Sequence, residues 1–247
     1  MRERSGQFII ITATIILVII IVLVASIHQT STTPQSPPPI YASVESVNQS
    51  LLTVLVDSLA NYSHTVITQV GGCSSPQVYT PSPDQPAQML FNQLISNLTY
   101  VYSSYGLLIG QTQPTYTVAW CTGPQGSGST TISATFRFNL TNLGIYNYRD
   151  ELRYSLEAYT PSCTINDDTL TCAINVIQAG SFLSTLNQSY FFLSQDSGWL
   201  KAQSAVDYDN GTYTVSWQLE GTPVPPFVAT IAVENQQGVY VVTSGEV

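Results

Sequence analysis

The spacing of apolar positions changes twice along the chain, and each change marks a new kind of element. Residues 8–27, from Phe8 to Ile27, form one run of twenty residues without a charge. At about 1.5 Å per residue, such a run spans roughly the 30 Å hydrocarbon core of a bilayer. From Ile40 to Val70 apolar residues recur at helical spacing: Val44, Val47, Leu51, Leu55, Leu59, Tyr62 and Val66 make one stripe. Asn48 falls within that stripe and His64 on the opposite face. Gly71-Gly72 stops the helix, and a Pro-rich loop follows from Ser74 to Pro86. A second helix is predicted from Gln85 to Tyr105, with Met89, Leu90, Leu94, Leu98, Val101 and Tyr105 on one side. The two helices would form an antiparallel pair covering or flanking what comes next.

After Thr115 the period becomes two. Tyr116, Val118 and Trp120 alternate with polar or small neighbours, as do Ile132, Ala134, Phe136, Phe138 and Leu140. Leu152, Tyr154, Leu156 and Ala158 repeat the pattern, and Tyr213, Val215, Trp217 and Leu219 give its clearest form. Two apolar runs, Phe227 to Val233 and Val239 to Val242, close the chain. Asp209-Asn210-Gly211 is a hairpin turn before the Tyr213 strand. The register of that strand buries Trp217 and exposes Ser216 and Gln218, because a one-residue slip would reverse every side chain. Short alternating strands with frequent turns predict an antiparallel Ig-like β-sandwich head. The whole chain reads as α+β, in four parts: a cytoplasmic tip and transmembrane helix (1–28), a Ser/Thr/Pro stalk (29–39), a helical pair (40–110) and a β-sandwich (111–247).

Charge sets the orientation. Arg2 and Arg4 precede the apolar run, and no basic residue follows it until Arg137. The positive-inside rule then places Met1 in the cytoplasm and the rest outside, as a single-pass protein of the cell membrane with an extracellular C-terminal domain. Val24-Ala25-Ser26 offers a small-residue cleavage site for a secretory signal. Signal cores usually run about 7–15 residues, so the longer run favours a retained anchor. The stalk, QTSTTPQSPPP, is stiffened by Pro37-Pro38-Pro39 and offers Ser and Thr hydroxyls for O-glycans.

Charged residues are only 9% of the chain, against about 25% in a typical globular protein. Beyond the anchor, four basic residues (Arg137, Arg149, Arg153, Lys201) face fourteen acidic ones, which disfavours nucleic acid or an anionic lipid surface as the head's partner. Two settings fit this balance: a glycan-coated exported surface, and a strongly acidic exterior, where a basic surface would repel itself. Six N-x-S/T sequons, at Asn48, Asn61, Asn97, Asn139, Asn187 and Asn210, favour the first. All four cysteines, Cys73, Cys121, Cys163 and Cys172, lie beyond the anchor, and an even count in an oxidising compartment implies two disulfides. Cys163 and Cys172 flank the turn Asn166-Asp167-Asp168, which makes them a hairpin pair and leaves Cys73 with Cys121 by elimination.

Candidate chemistry is sparse. His28 and His64 are the only histidines, too few for a metal cluster and without a G-x-S-x-G turn to serve. The four cysteines lack C-x-x-C spacing. The Gly-rich segment from Gly123 to Gly128 lacks the Lys of a phosphate loop and reads as a strand connection. Asp207-Tyr208-Asp209-Asn210-Gly211 has a calcium-loop flavour but the wrong spacing, and reads as a turn, as does Asp167-Asp168. Asp150, Glu151 and Glu157 are the nearest approach to an acid pair for glycoside hydrolysis. No catalytic residue, metal or cofactor is therefore expected. Among fifteen tyrosines, Tyr146 and Tyr148, beside Asn147 and Arg149, are the cluster most suited to a binding face.

Arg4-Ser5-Gly6-Gln7, running directly into the apolar segment, resembles the start of archaeal type IV pilin-like proteins with class III signal peptides. The resemblance covers about 25 residues. It implies cleavage after Gly6 on the cytoplasmic side and a β-rich, glycosylated head. Pilins commonly carry Glu five residues into the mature chain, where this chain has Ile11, and Pro34 and Pro37 interrupt the helix that pilins continue into the head. The sequence thus points to a stalked, glycosylated surface protein with a structural or adhesive role. It would be held in the lipid bilayer through Phe8 to Ile27, with surface-layer proteins, glycans or like subunits as partners. A pilin-like filament subunit and a cell-surface ligand-binding protein or hydrolase are the alternatives.

Overall fold

The computed structural model describes residues 40–69, 77–79, 86–122, 126–196, 198–221 and 227–247. Val47–Val247 form one compact unit; Met1–Ser46 form another, described over 40–46 only. The apolar run at 8–27 and the stalk lie outside the described residues. Among the described residues, no helix is long and apolar enough to cross a membrane.

Helix α1 spans Ile40–Gln69. Its stripe buries Val47, Leu51, Leu55, Leu59, Tyr62 and Val66, and His64 stands exposed, as the spacing predicts. Strand β1 is Gln77–Tyr79. Helix α2, Pro86–Val101, opens on a proline, which suits a first helical position because its missing N–H has no partner there anyway. Its buried edge is Ala87, Phe91 and Leu98. Met89 and Val101, placed on the core side by the sequence, are exposed. The face is rotated because α2 packs through Phe91 onto Phe136, with ring centroids 6.3 Å apart. A buried polar knot ties both helices to the sheet: Ser58 Oγ donates to the Ala87 carbonyl at 3.1 Å and bonds the Tyr116 hydroxyl.

The remaining strands are β2 (Leu107–Ile109), β3 (Thr115–Trp120), β4 (Gly128–Leu140), β5 (Ile145–Asn166), β6 (Thr169–Gln178), β7 (Ser181–Phe182), β8 (Phe191–Gln195), β9 (Gly198–Lys201), β10 (Ser204–Asp207), β11 (Thr212–Gln218), β12 (Val228–Glu234) and β13 (Tyr240–Glu246). A nine-stranded antiparallel sheet runs β1-β3-β4-β5-β6-β11-β10, with β2 on β4 and β7 on β6. A second sheet runs β13-β12-β8-β9. The α+β class and the two antiparallel sheets match the sequence pattern. Tyr116, Val118, Trp120, Ile132, Phe136 and Leu156 are buried on one face of the large sheet, and so are Tyr213, Val215 and Trp217. Their polar neighbours alternate outward.

Strand β13 lies close over that face. A Cβ on Gly128 would sit 1.9 Å from the Val242 carbonyl oxygen, and one on Gly245 would sit 2.7 Å from Cys163 Sγ, so both positions need glycine for backbone approach. A buried network closes the β12–β13 turn onto the large sheet. Asn235 Nδ2 donates to the Tyr154 hydroxyl at 2.5 Å and to Gln178 Oε1 at 3.1 Å, while its Oδ1 accepts the Gln237 and Val239 N–H groups. Strand β5 is long enough to serve two neighbours: it pairs β4 from Ile145 to Ala158 and β6 from Leu156 to Asn166. The register shifts between Tyr159 and Ser162, where Pro161 stands exposed, the kind of irregularity at which a strand tolerates proline.

Cys163 and Cys172 are opposed across β5–β6 and bonded, and Asp167-Asp168 forms the two-residue turn beyond them. Cys121 is disulfide-bonded too, and its expected partner Cys73 lies outside the described residues. Removing the hairpin bridge by C163A/C172A is expected to lower stability by about 2–3 kcal/mol, because it frees a loop of about ten residues in the unfolded chain. Thermal melts of oxidised parent and variant check this; an unchanged midpoint would show the hairpin needs no clamp.

Candidate functional site: an exposed apolar end

The β4–β5 connection, the end of α2 and β2 meet at one end of the compact unit. The Asn142 Nδ2 donates to the Ser104 carbonyl at 3.0 Å, and Thr141 N–H to the Gly106 carbonyl at 3.2 Å. Leu108 pairs with Asn139 on β4. Opposite Asn139 the β5 strand bulges: the register shifts between Phe138 and Leu140, and Asn147 takes φ 55° while donating its N–H to Asn139 Oδ1 at 2.6 Å. Asparagine tolerates this left-handed conformation better than most residues.

The bulge divides the two tyrosines that the sequence put together. Tyr148 packs its ring on Phe138, with centroids 4.9 Å apart, and its hydroxyl accepts from Asn48 Nδ2 at 3.4 Å. It is a packing residue. Tyr146 is 64% exposed, and Tyr100 (83%), Val101 (68%) and Leu108 (56%), on the elements that meet this connection, are exposed as well. Tyr102 bonds Ser50 Oγ at 2.9 Å and stacks near Tyr105, which fixes the platform beneath them. Only Tyr146 of this apolar set was marked as a binding residue by the sequence. Tyr100 and Leu108 gave no signal, because a helical or strand pattern assigns such residues to the core.

The carboxylates do not converge. Asp150 points to the helix side, accepting from Asn48 Nδ2 at 2.8 Å, while Glu151 next to it is exposed on the other face. Glu157 lies six residues farther along, about 20 Å of strand away. Glycoside hydrolysis needs carboxyl groups roughly 5–10 Å apart. Asp207 Oδ1 accepts the Asp209 N–H at 2.8 Å within a hairpin turn, and no group of metal-ligating side chains occurs among the described residues. Burial raises the Asp57 carboxyl above its usual range. His64 sits against the Tyr240 ring, centroids 5.7 Å apart.

The sequons differ in access. Asn61, Asn97, Asn187 and Asn210 are exposed and Asn139 is half-buried. In Asn187 and Asn210 the side-chain Oδ1 accepts the N–H of the sequon's own Ser189 or Thr212, at 2.9 and 3.0 Å, in side-chain-closed turns. Asn48 is unlike them: its Nδ2, the atom a glycan would occupy, is spent on Asp150, and its Oδ1 is buried without a partner. Glycopeptide mapping is therefore expected to find Asn187 and Asn210 occupied and Asn48 bare; a glycan on Asn48 would mean that this part of α1 leaves the sheet. Set against family models, curated proteins and solved structures, the chain matches none of them.

Proposed function

We propose that this chain is a single-pass, glycosylated extracellular surface protein with a structural or adhesive role, anchored by residues 8–27 and carrying an Ig-like two-sheet head. The observation that carries the adhesive part is the exposure of the large apolar side chains Tyr100, Val101, Leu108 and Tyr146 around the β4–β5 connection. Large apolar side chains left in solvent suit contact with a partner. The hairpin disulfide suits an oxidising compartment, and the exposed sequons suit glycosylation there. Surface-layer proteins, glycans or like subunits are the partners in keeping with it. Protease added to intact cells is expected to release the head, and intact-mass analysis to find glycans and oxidised cysteines. A protected head with an accessible Met1 end would overturn the reading. A Y100S/Y146S variant is expected to keep its melting temperature and lose adhesion.

A further inference from the structure

Three of the four basic residues beyond the apolar run stand together. Arg137, Arg149 and Arg153 are exposed on the outer face of β4–β5, and Arg137 and Arg149 are register partners. Side chains so opposed start about 5 Å apart, and like charges there cost stability. Glu151 is the one carboxylate between Arg149 and Arg153 on that face. The chain nevertheless carries a formal charge of −9.

Carboxylates gather at the opposite end of the same strand. Asp167 and Asp168 are exposed in the disulfide-clamped turn, and Glu220 is brought beside them by the Leu219 N–H bond to the Asp168 carbonyl at 2.7 Å. No basic residue occurs from Thr160 to Asn175 or from Asn210 to Gly221. Arg149 and Asp167 are separated by roughly 60 Å of strand. Screening acts over about 8 Å at physiological salt, so the acidic tip does nothing for its own arginines.

We infer that the arginine face of one copy receives the Asp167-Asp168 hairpin of a second copy, head to tail. Two guanidiniums meet two carboxylates, a geometry that allows forked hydrogen bonding. Donor and acceptor surfaces differ, so the contact is heterologous and continues into rings or rows. Exposed ion pairs are individually weak, so the contact is salt-sensitive and depends on crowding of copies. The inference names one partner for the adhesive reading and rests on that reading for its setting; its chemistry does not.

The test uses the full-length chain in mild detergent with its own glycans, and N139Q as the control for a glycan two residues from Arg137 on the same face. Sedimentation is expected to show self-association that weakens about tenfold from low to physiological salt. R137D/R149D and D167R/D168R should each weaken it about tenfold, and mixing the two variants should restore it, because each supplies the other's complement. Unchanged melting temperatures and an oxidised hairpin confirm that both variants fold. Equal self-association of parent and variants, or no recovery on mixing, overturns the contact, whatever the protease and mass measurements say of the surface reading.

Discussion

Replacing Trp217 with alanine is expected to cost about 3–5 kcal/mol of stability, the usual range for emptying a large aromatic site. Trp217 is fully buried in β11, paired with Leu170 on β6 and followed inward by Val215 and Tyr213. Tyr213 fixes the next layer, with its ring 5.1 Å from Phe191 and its hydroxyl donating to the Leu183 carbonyl at 2.5 Å. A void at Trp217 therefore opens in the core under β11, where the strand is held in place by its ladder to β6 and by the Tyr213 contacts. For a unit of this size, each kcal/mol moves the midpoint by about 2–4 °C. A drop on the order of 10 °C in thermal unfolding is expected, against almost none for Ser216→Ala. Phenylalanine separates packing from polarity. The Trp217 Nε1 is buried without an acceptor, a penalty of about 1–3 kcal/mol that phenylalanine removes. Trp217→Phe should lose well under half of what alanine loses. Small and equal shifts for Trp217→Ala and Ser216→Ala would place the indole on the surface.

Raising the pH above 10 is expected to unfold the head cooperatively, driven by its buried tyrosines. Burial pushes Tyr154 up to about 12, partly opposed by the Asn235 hydrogen bond. Burial likewise raises Tyr116, Tyr213 and Tyr240, the last helped by Glu234. A raised value in the folded state means the unfolded chain gives up its proton first. The stabilisation is therefore complete below pH 10 and is lost as pH climbs through the folded values. Tyr154 alone accounts for something on the order of 2–3 kcal/mol across pH 10 to 12. Circular dichroism and tyrosinate absorbance recorded together check this. Cooperative loss of structure with tyrosinate appearing late is expected, and Tyr154→Phe should flatten the alkaline limb. Tyrosinate appearing near pH 10 with the fold intact would refute it.

Much of this architecture is written in periodicity. The α1 stripe and the β11 alternation are each long enough that only one face satisfies the pattern, and both are buried as the spacing requires. The Cys163–Cys172 hairpin was legible because a turn sits midway between the cysteines. The α2 face was not, since Met89/Leu90 and Ala87/Phe91 define overlapping arcs, and only the presence of Phe136 selects the second. Strands β8, β9 and β10 are four or five residues long, and Phe191-Phe192-Leu193 has no alternation to read. The opposition of Arg137 to Arg149 depends on a bulge set by Asn147, which no spacing rule encodes. The sequons were visible as motifs, yet the engagement of Asn48 with Asp150 joins residues about a hundred positions apart.

The double pairing of β5 has a mechanical consequence. Tension applied between the Tyr146 end and the Asp167 tip runs along this strand. Both ends lie on one continuous extended strand, so its covalent backbone carries the pull, and the ladders to β4 and β6 hold that strand straight. Neither ladder spans the whole strand. The two ladders overlap at Leu156, Glu157 and Ala158, just before the register shift beside Pro161. A head pulled between these two points is therefore expected to extend very little, because the strand that joins them is already near its full length.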